Sequence, residues 1–302
     1  MPSEILKVVS VVVGGAFIVS GLRDMFHTLF HPAGRGALST RVMRATWQVS
    51  RQLRGGPSPL VGPLGIVSVL VVWVVLQVLG WALVYLPHMP NGFSFSPGID
   101  SERYSALFSS IYLSLVTFAT LGFGDVVATT PLLRILAPIQ ALLGFVLFTA
   151  AVSWVMQLYP ALNRRRTTAL RIRSLVEGGF ASRLERDEVY ETDSLLVNEL
   201  ATALAQARVD LTQNAEIYYF AEKDPSLALS TAMAESWDIA SKAGKTGTGS
   251  VQAAAEVLTV ATSDLATLLR DQYLQHAEDS TPAVIDAAAR EQGAPRPLKD
   301  DL

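Results

Sequence analysis

The run from Leu64 to Leu86 holds 23 residues without a charge and is bracketed by Pro63 and Pro87. As a helix, at about 1.5 Å per residue, it is long enough to cross ~30 Å of hydrocarbon. It has no polar side, so it cannot be the surface helix of a soluble domain. Trp81 and Tyr85 near its end suit the aromatic belt of a membrane interface. Two other stretches behave alike. Ile5–Leu22 is apolar around Gly14-Gly15, and the pattern continues through Phe26 and Phe30, so one helix over about residues 4–31 is expected. Lys7 ahead of an apolar run suggests a signal peptide, but no small-residue cleavage site follows. Ile135–Tyr159 has 25 residues and no charge, and Pro131 stands where a helix favours proline, in its first turn. The reading is a multi-pass membrane protein, and the composition agrees: half of the 302 residues are hydrophobic and 17% are charged.

The segments between these spans fix an expected topology. Arg35, Arg41, Arg44, Arg51 and Arg54 fall in a stretch free of Asp, Glu and Lys. Leu38, Val42, Ala45, Val49 and Leu53 follow helical spacing there, with Arg41, Arg44, Gln48 and Arg51 opposite, which suits a helix on an anionic membrane surface or a solvated linker helix. Arg164, Arg165, Arg166, Arg171 and Arg173 follow the last span. Placing both arginine-dense segments in the cytoplasm puts the N-terminus outside, the turn-rich 88–103 loop outside and the C-terminus in the cytoplasm, in the cell membrane.

Between the last two spans lies Thr117-Phe-Ala-Thr120-Leu-Gly-Phe-Gly-Asp125. It follows an apolar segment, 103–118, that is too short to cross a bilayer and too apolar for a surface helix. A re-entrant helix is expected, since non-helical backbone at membrane depth survives only inside protein or beside water. Gly122 and Gly124 alternate with bulkier residues, which lets successive carbonyls point one way. Carbonyls so arranged can replace the water shell of a cation.

These residues resemble the Thr-x-Gly-(Tyr/Phe)-Gly-Asp signature of pore-loop potassium channels, and the likeness to the two-helix, one-loop type covers about residues 62–159. The resemblance implies K⁺ coordination by the carbonyls of Thr120, Leu121, Gly122 and Phe123 and by the Thr120 hydroxyl, with Gly124 completing the filter. It implies Thr117 and Asp125 as filter support, and four copies of the chain around one pore. Arg134 falls where many members have an arginine early in the inner helix. Gly144 falls at their hinge glycine, where close helix packing is an equal explanation; Pro138 is a second candidate for a bend. Three departures stand out. Ala119 replaces a threonine, Phe123 the commoner tyrosine, and Val116 a glutamate that in some members pairs with the filter aspartate, so Asp125 must find another partner.

The expected fold is an all-α membrane protein with three transmembrane helices, a re-entrant pore helix and filter between the last two, and an all-α C-terminal cytosolic domain. Its divisions are 1–60 (membrane helix and arginine-rich interfacial helix), 61–160 (outer helix 64–86, pore helix 103–118, filter 120–125, inner helix 131–159) and 161–302. In the last, Leu196, Leu200, Ala203, Ala207 and Leu211 form one helical stripe and Val251, Ala255, Leu258, Leu265 and Leu269 another, separated by Gly244–Ser250. Residues 292–302 read as a disordered end. Asp24, His27 and His31 share a helix face that suits a metal or, more simply, a helix end. The acidic run Glu185, Asp187, Glu188, Glu191, Asp193 lacks the spacing of a calcium loop. There is no cysteine, and no nucleophile, acid–base pair, cofactor motif or nucleic-acid patch emerges, so an enzyme is not expected. The leading function is a potassium-selective channel gated at its inner helices. The alternatives are a weakly selective cation channel and, from another class, a transporter subunit or membrane-anchored scaffold.

Overall fold

The computed structural model describes residues 2–30, 36–54, 58–98, 103–186, 188–190, 192–246 and 249–294. It is built from helices, apart from two three-residue strands. Three of the helical stretches, Glu4–Leu29, Val61–His88 and Pro131–Glu177, are long and apolar enough to cross a membrane. The chain divides into two compact units, Met1–Val42 with Val67–Met156 and Met43–Ile66 with Gln157–Leu302. The boundaries near 60 and 160 expected from sequence therefore differ from this division. Segment 43–66 groups with the C-terminal residues.

In the first unit, α1 (Pro2–Leu29) lies against the upper part of α3 (Val61–Tyr85). Gly14 approaches Gly80 so closely that a Cβ on Gly14 would sit 2.5 Å from the Gly80 carbonyl oxygen. Small residues permit this in membrane helices, where association depends on close packing and interhelical hydrogen bonds. Two such bonds follow: Ser10 Oγ donates to the Leu83 carbonyl at 2.7 Å, and Gln77 Nε2 to the Ile18 carbonyl at 3.1 Å. Val8, Val12 and Val19 on α1 stay exposed, as an apolar face toward lipid should.

At the end of α1 the buried Asp24 carboxylate accepts from the amides of Leu38 (2.7 Å) and Ser39 (3.0 Å) and from Trp73 Nε1 (2.9 Å). It thereby satisfies two of the otherwise unpaired N–H groups at the start of α2 (Ala37–Arg54). The sequence offered a metal site or a cap on the end of their own helix for Asp24, His27 and His31; Asp24 instead caps the start of the next helix. His31 and Arg35 lie outside the described residues, and no metal-binding group of three or more His, Cys, Asp or Glu occurs among the described ones.

Further on, β1 (Phe93–Phe95) pairs antiparallel with β2 (Val126–Ala128), Ser94 opposite Val127. The short helix expected over 103–118 is α4, Ala106–Phe118. It starts later because Ser105 is its N-cap, its hydroxyl accepting from the Phe108 amide. The long helix α5 (Pro131–Glu177) does not stop at Tyr159 as expected but continues 18 residues through the arginine segment, to a total of 47. Trp81, Tyr85, Phe93, Leu113, Val126 and Leu133 form the core that joins α3, α4, α5 and the strand pair.

The second unit is helical throughout, with α6 (Phe180–Glu185), α7 (Asp193–Gln213), α8 (Leu229–Thr246), α9 (Gly249–Gln272) and α10 (Thr281–Gln292). All five residues of the 251–269 stripe are buried. On α7 the buried face is Val197, Leu200, Leu204, Ala207 and Leu211, slightly rotated from the expected stripe, with Leu196 and Ala203 at its margin. Arginines of α5 are spent within this unit. Arg164 makes a two-pronged pair with Asp210 (2.9 and 2.7 Å), and buried Arg165 donates to the carbonyls of Ile217 and Phe220 and to Glu222 (2.7, 2.8 and 2.7 Å).

The acidic run is paired as well, rather than gathered round a cation: Glu185 with Lys242, Glu188 with Arg186, Asp193 with Arg183. Asp187 and Glu191 lie outside the described residues. Burial alone would raise the Asp193 carboxyl, but the Arg183 guanidinium and the Tyr190 amide outweigh it and hold it below its ordinary value.

Candidate functional site

The segment after α4 departs from regular structure in an ordered way. Ala119 N donates to the Leu115 carbonyl, Thr120 N to Thr117 (3.0 Å) and Leu121 N to Val116 (3.0 Å), so the last turn of α4 holds the first residues beyond it. From there the backbone alternates. Thr120, Gly122 and Gly124 have φ of +58°, +55° and +74°, while Leu121 and Phe123 between them are not among the positive-φ residues. A run that alternates between left- and right-handed conformations turns its amides to one side and its carbonyls to the other. Glycine takes the left-handed region freely. Thr120 does not: for a β-branched residue it is an outlier that costs roughly 1–2 kcal/mol. Such strain persists where surrounding contacts over-determine it, and it clusters at functional sites.

Three sets of contacts hold the segment. At its far end Ser96 N donates to the Asp125 carbonyl (2.8 Å) and Ser96 Oγ to the Gly124 carbonyl (3.3 Å), which fastens it to the chain after β1. The Asp125 carboxylate accepts from Tyr112 Oη (2.5 Å) and from the Val126 amide (3.0 Å). Tyr112 sits one helical turn before Val116, on the same face of α4. It is thus the partner that Asp125 needs in the absence of a glutamate at 116.

The third set lies behind α4. Gln140 is fully buried on α5; its Oε1 accepts from Tyr85 Oη (2.8 Å) and its Nε2 donates to the carbonyl and hydroxyl of Ser114 (2.9 and 2.8 Å). Ser114 Oγ in turn donates to the Val78 carbonyl (2.7 Å). One amide therefore links α3, α4 and α5, and a polar network this completely satisfied rigidifies a core.

Sequence reasoning did not single out Gln140, Ser114 or Tyr112, and it placed Trp81 and Tyr85 in an interfacial aromatic belt, whereas both are buried in the core and Tyr85 is bonded to Gln140. For Gln140 a signal existed: it is the one amide side chain between Ile135 and Trp154, in a run otherwise apolar or hydroxylic. A polar group inside a span needs a partner there.

The two bend candidates differ in setting. Pro138 is exposed, eight residues into α5, where it leaves the Arg134 carbonyl without its helical donor. Gly144 is buried, and a Cβ there would lie 2.0 Å from the Phe118 carbonyl oxygen. The end of α4 rests directly on the Gly144 backbone. A cavity of about 500 Å³ opens beside this contact, lined by Leu70, Val74, Leu115, Thr120, Phe145 and Phe148.

The segment's own surface is open in a single chain. Leu121 is 58% and Phe123 64% exposed, and Leu142, Phe145 and Phe148 on α5 are exposed too. Irregular backbone at membrane depth is not tolerated against lipid.

Residues 68–159 match the family described as "Ion channel". That stretch holds most of α3, all of α4, the 119–125 segment and the apolar part of α5. The "Uncharacterized membrane protein YdjJ" of Bacillus subtilis is 27% identical over 176 residues, 56% of this chain and 50% of that protein. "Protein LctB" of Bacillus caldotenax is 38% identical over 85 residues, 26% of this chain and 61% of that protein. "Protein LctB" of Geobacillus stearothermophilus is 39% identical over the same length and shares. The chain thus spans about half to three-fifths of the length of the curated relatives it matches. No solved structure matches.

Proposed function

We propose that this multi-pass membrane protein, whose residues 68–159 match the ion-channel family, is the subunit of a homotetrameric potassium-selective channel. The observation that carries the reading is the left-handed alternation at Thr120, Gly122 and Gly124, at the end of a short helix set between two spans. In this reading the carbonyls of Thr120, Leu121, Gly122 and Phe123, with the Thr120 hydroxyl, replace the hydration shell of K⁺. Ser96, Tyr112 and Asp125 hold the outer end of the filter.

Each chain has one such segment, and a pore lined by carbonyls on all sides needs several copies. Four-fold closure meets that need and also covers Leu121 and Phe123 with protein. The arginines of 35–54 and 164–173 favour the cytoplasm. The N-terminus and the filter mouth are then outside, in the cell membrane, and the C-terminal unit is a cytoplasmic regulator of a gate in the inner helices.

The test is flux through the purified protein in liposomes under opposed K⁺ and Na⁺ gradients. A reversal potential near the K⁺ equilibrium value is expected. A value near zero identifies a non-selective cation pore, which the Ala119 and Phe123 departures would favour. Absence of current from an intact tetramer would point to a scaffold.

Tyr112→Phe probes the support of the filter. It removes one hydrogen bond to a charged group, a contribution of about 1.5–3 kcal/mol. The K⁺-to-Na⁺ permeability ratio should fall while assembly is kept. An unchanged ratio would show that Asp125 does not depend on Tyr112.

A further inference from the structure

Helix α2 presents three faces. Ser39, Met43 and Trp47, spaced by one turn, are buried. This is not the apolar stripe read from sequence. Of that stripe, Ala45, Val49 and Leu53 remain exposed, Val49 at 52% and Leu53 at 80%. The third face carries Arg41, Arg44 and Gln48, all exposed. Of these arginines, neither 41 nor 44 meets a carboxylate among the described residues, whereas Arg51 lies 3.8 Å from Glu291.

Trp47 on the buried face is fastened to residues of the C-terminal segment. Trp47 rests against Tyr218 and Tyr219, with ring centroids 6.3 and 5.7 Å away. Glu291 accepts from both Trp47 Nε1 (3.2 Å) and Tyr218 Oη (3.1 Å). Met43 packs on Gly65, where a Cβ would come within 2.6 Å of its sulfur. With this face occupied, the exposed apolar residues and Arg41 and Arg44, which meet no carboxylate among the described residues, are still adjacent. The helix also stands in the connection between two spans, α1 and α3, with its first amides held by Asp24 of α1.

We infer that α2 is a membrane-surface helix that recognises anionic phospholipid: Ala45, Val49 and Leu53 enter the headgroup boundary, and Arg41 and Arg44 take the lipid phosphates. Charge complementarity selects this occupant. An exposed apolar stripe whose only charged neighbours on the helix are arginines fits an interfacial helix on a negatively charged surface, and no acidic residue of α2 opposes it. Because Trp47 shares its turns with Val49, the Glu291 contact ties lipid composition to the C-terminal unit. The inference rests on the membrane-spanning helices and not on ion conduction.

The chain contains no cysteine, so Leu53→Cys accepts a single environment-sensitive fluorophore on the full-length protein. The labelled protein is placed in nanodiscs of phosphatidylcholine alone or with phosphatidylglycerol, each doped with spin-labelled lipid. Quenching at 53 should be strong only with the anionic lipid. Arg41→Gln and Arg44→Gln should each lower the ratio of bound to free helix about fivefold. High salt should do the same without any substitution. Equal quenching in both lipids, or quenching indifferent to both substitutions and to salt, overturns the proposal. The readout needs no current, so it succeeds or fails apart from the channel reading.

Discussion

In the proposed tetrameric potassium channel, Gly122→Ala is expected to reduce K⁺ flux to background while assembly is kept. At φ +55° an alanine is strained by roughly 1–2 kcal/mol, incurred once in each subunit. Nothing lies within 4 Å of the position its Cβ would occupy, so no clash disturbs the surrounding fold. The strain is relieved instead by returning residue 122 to negative φ, which swings the neighbouring peptide and takes a carbonyl out of the row. Flux in liposomes together with the oligomeric state on a native gel measures both halves of this outcome. Gly98 supplies the control, since it too is left-handed (φ +98°) with open space around it but lies in the 88–103 loop. Gly98→Ala should carry similar strain and leave flux intact. Unchanged K⁺ current in Gly122→Ala would sink the filter assignment.

Gly144→Ala should have the second-largest effect, and it separates two roles for that residue. The added Cβ would meet the Phe118 carbonyl oxygen at 2.0 Å. An ordinary carbon–oxygen approach is ~3.3 Å or more, so α4 and α5 must part by about 1 Å. A backbone oxygen cannot swing aside as a side chain can. Phe118 is followed by Ala119 and Thr120, so the displacement passes straight into the segment with alternating φ. Overpacking of this kind costs about 1–3 kcal/mol, and each kcal/mol lowers the melting temperature by ~2–4 °C. Loss of flux together with reduced thermal stability is therefore expected. If the variant melts like the parent and only its open probability changes, Gly144 acts as a hinge and the packing role is refuted.

Much of the fold was legible because burial in a membrane is written in composition. Leu64–Leu86 became α3 at Val61–Tyr85, and Pro131 opens α5. In each case a charge-free run of that length has only one stable environment. The 251–269 stripe was legible for a related reason: a helix with one apolar face must bury it.

Where a helix has more than one apolar face, periodicity does not choose between them. On α2 the stripe from Leu38 to Leu53 was the more regular pattern, yet Met43 and Trp47 are the residues covered. Trp47 is satisfied by Glu291, 244 residues away, and no local pattern encodes that. The extension of α5 past Tyr159 escaped notice likewise, because its arginines are neutralised by Asp210 and Glu222 from distant segments.

By itself, then, the sequence determined which stretches must leave water, and it marked residues 117–125 as a segment that fits neither helix nor lipid. Both follow from local chemistry: the absence of charge over a bilayer's length and the backbone freedom of Gly122 and Gly124. Only the tertiary structure decided what holds that segment. Tyr112 replaces the missing partner of Asp125, Gln140 joins three helices behind α4, and Gly144 admits the Phe118 carbonyl. Each is a contact between elements, set by how helices approach one another, and the spacing of residues along the chain does not specify that approach.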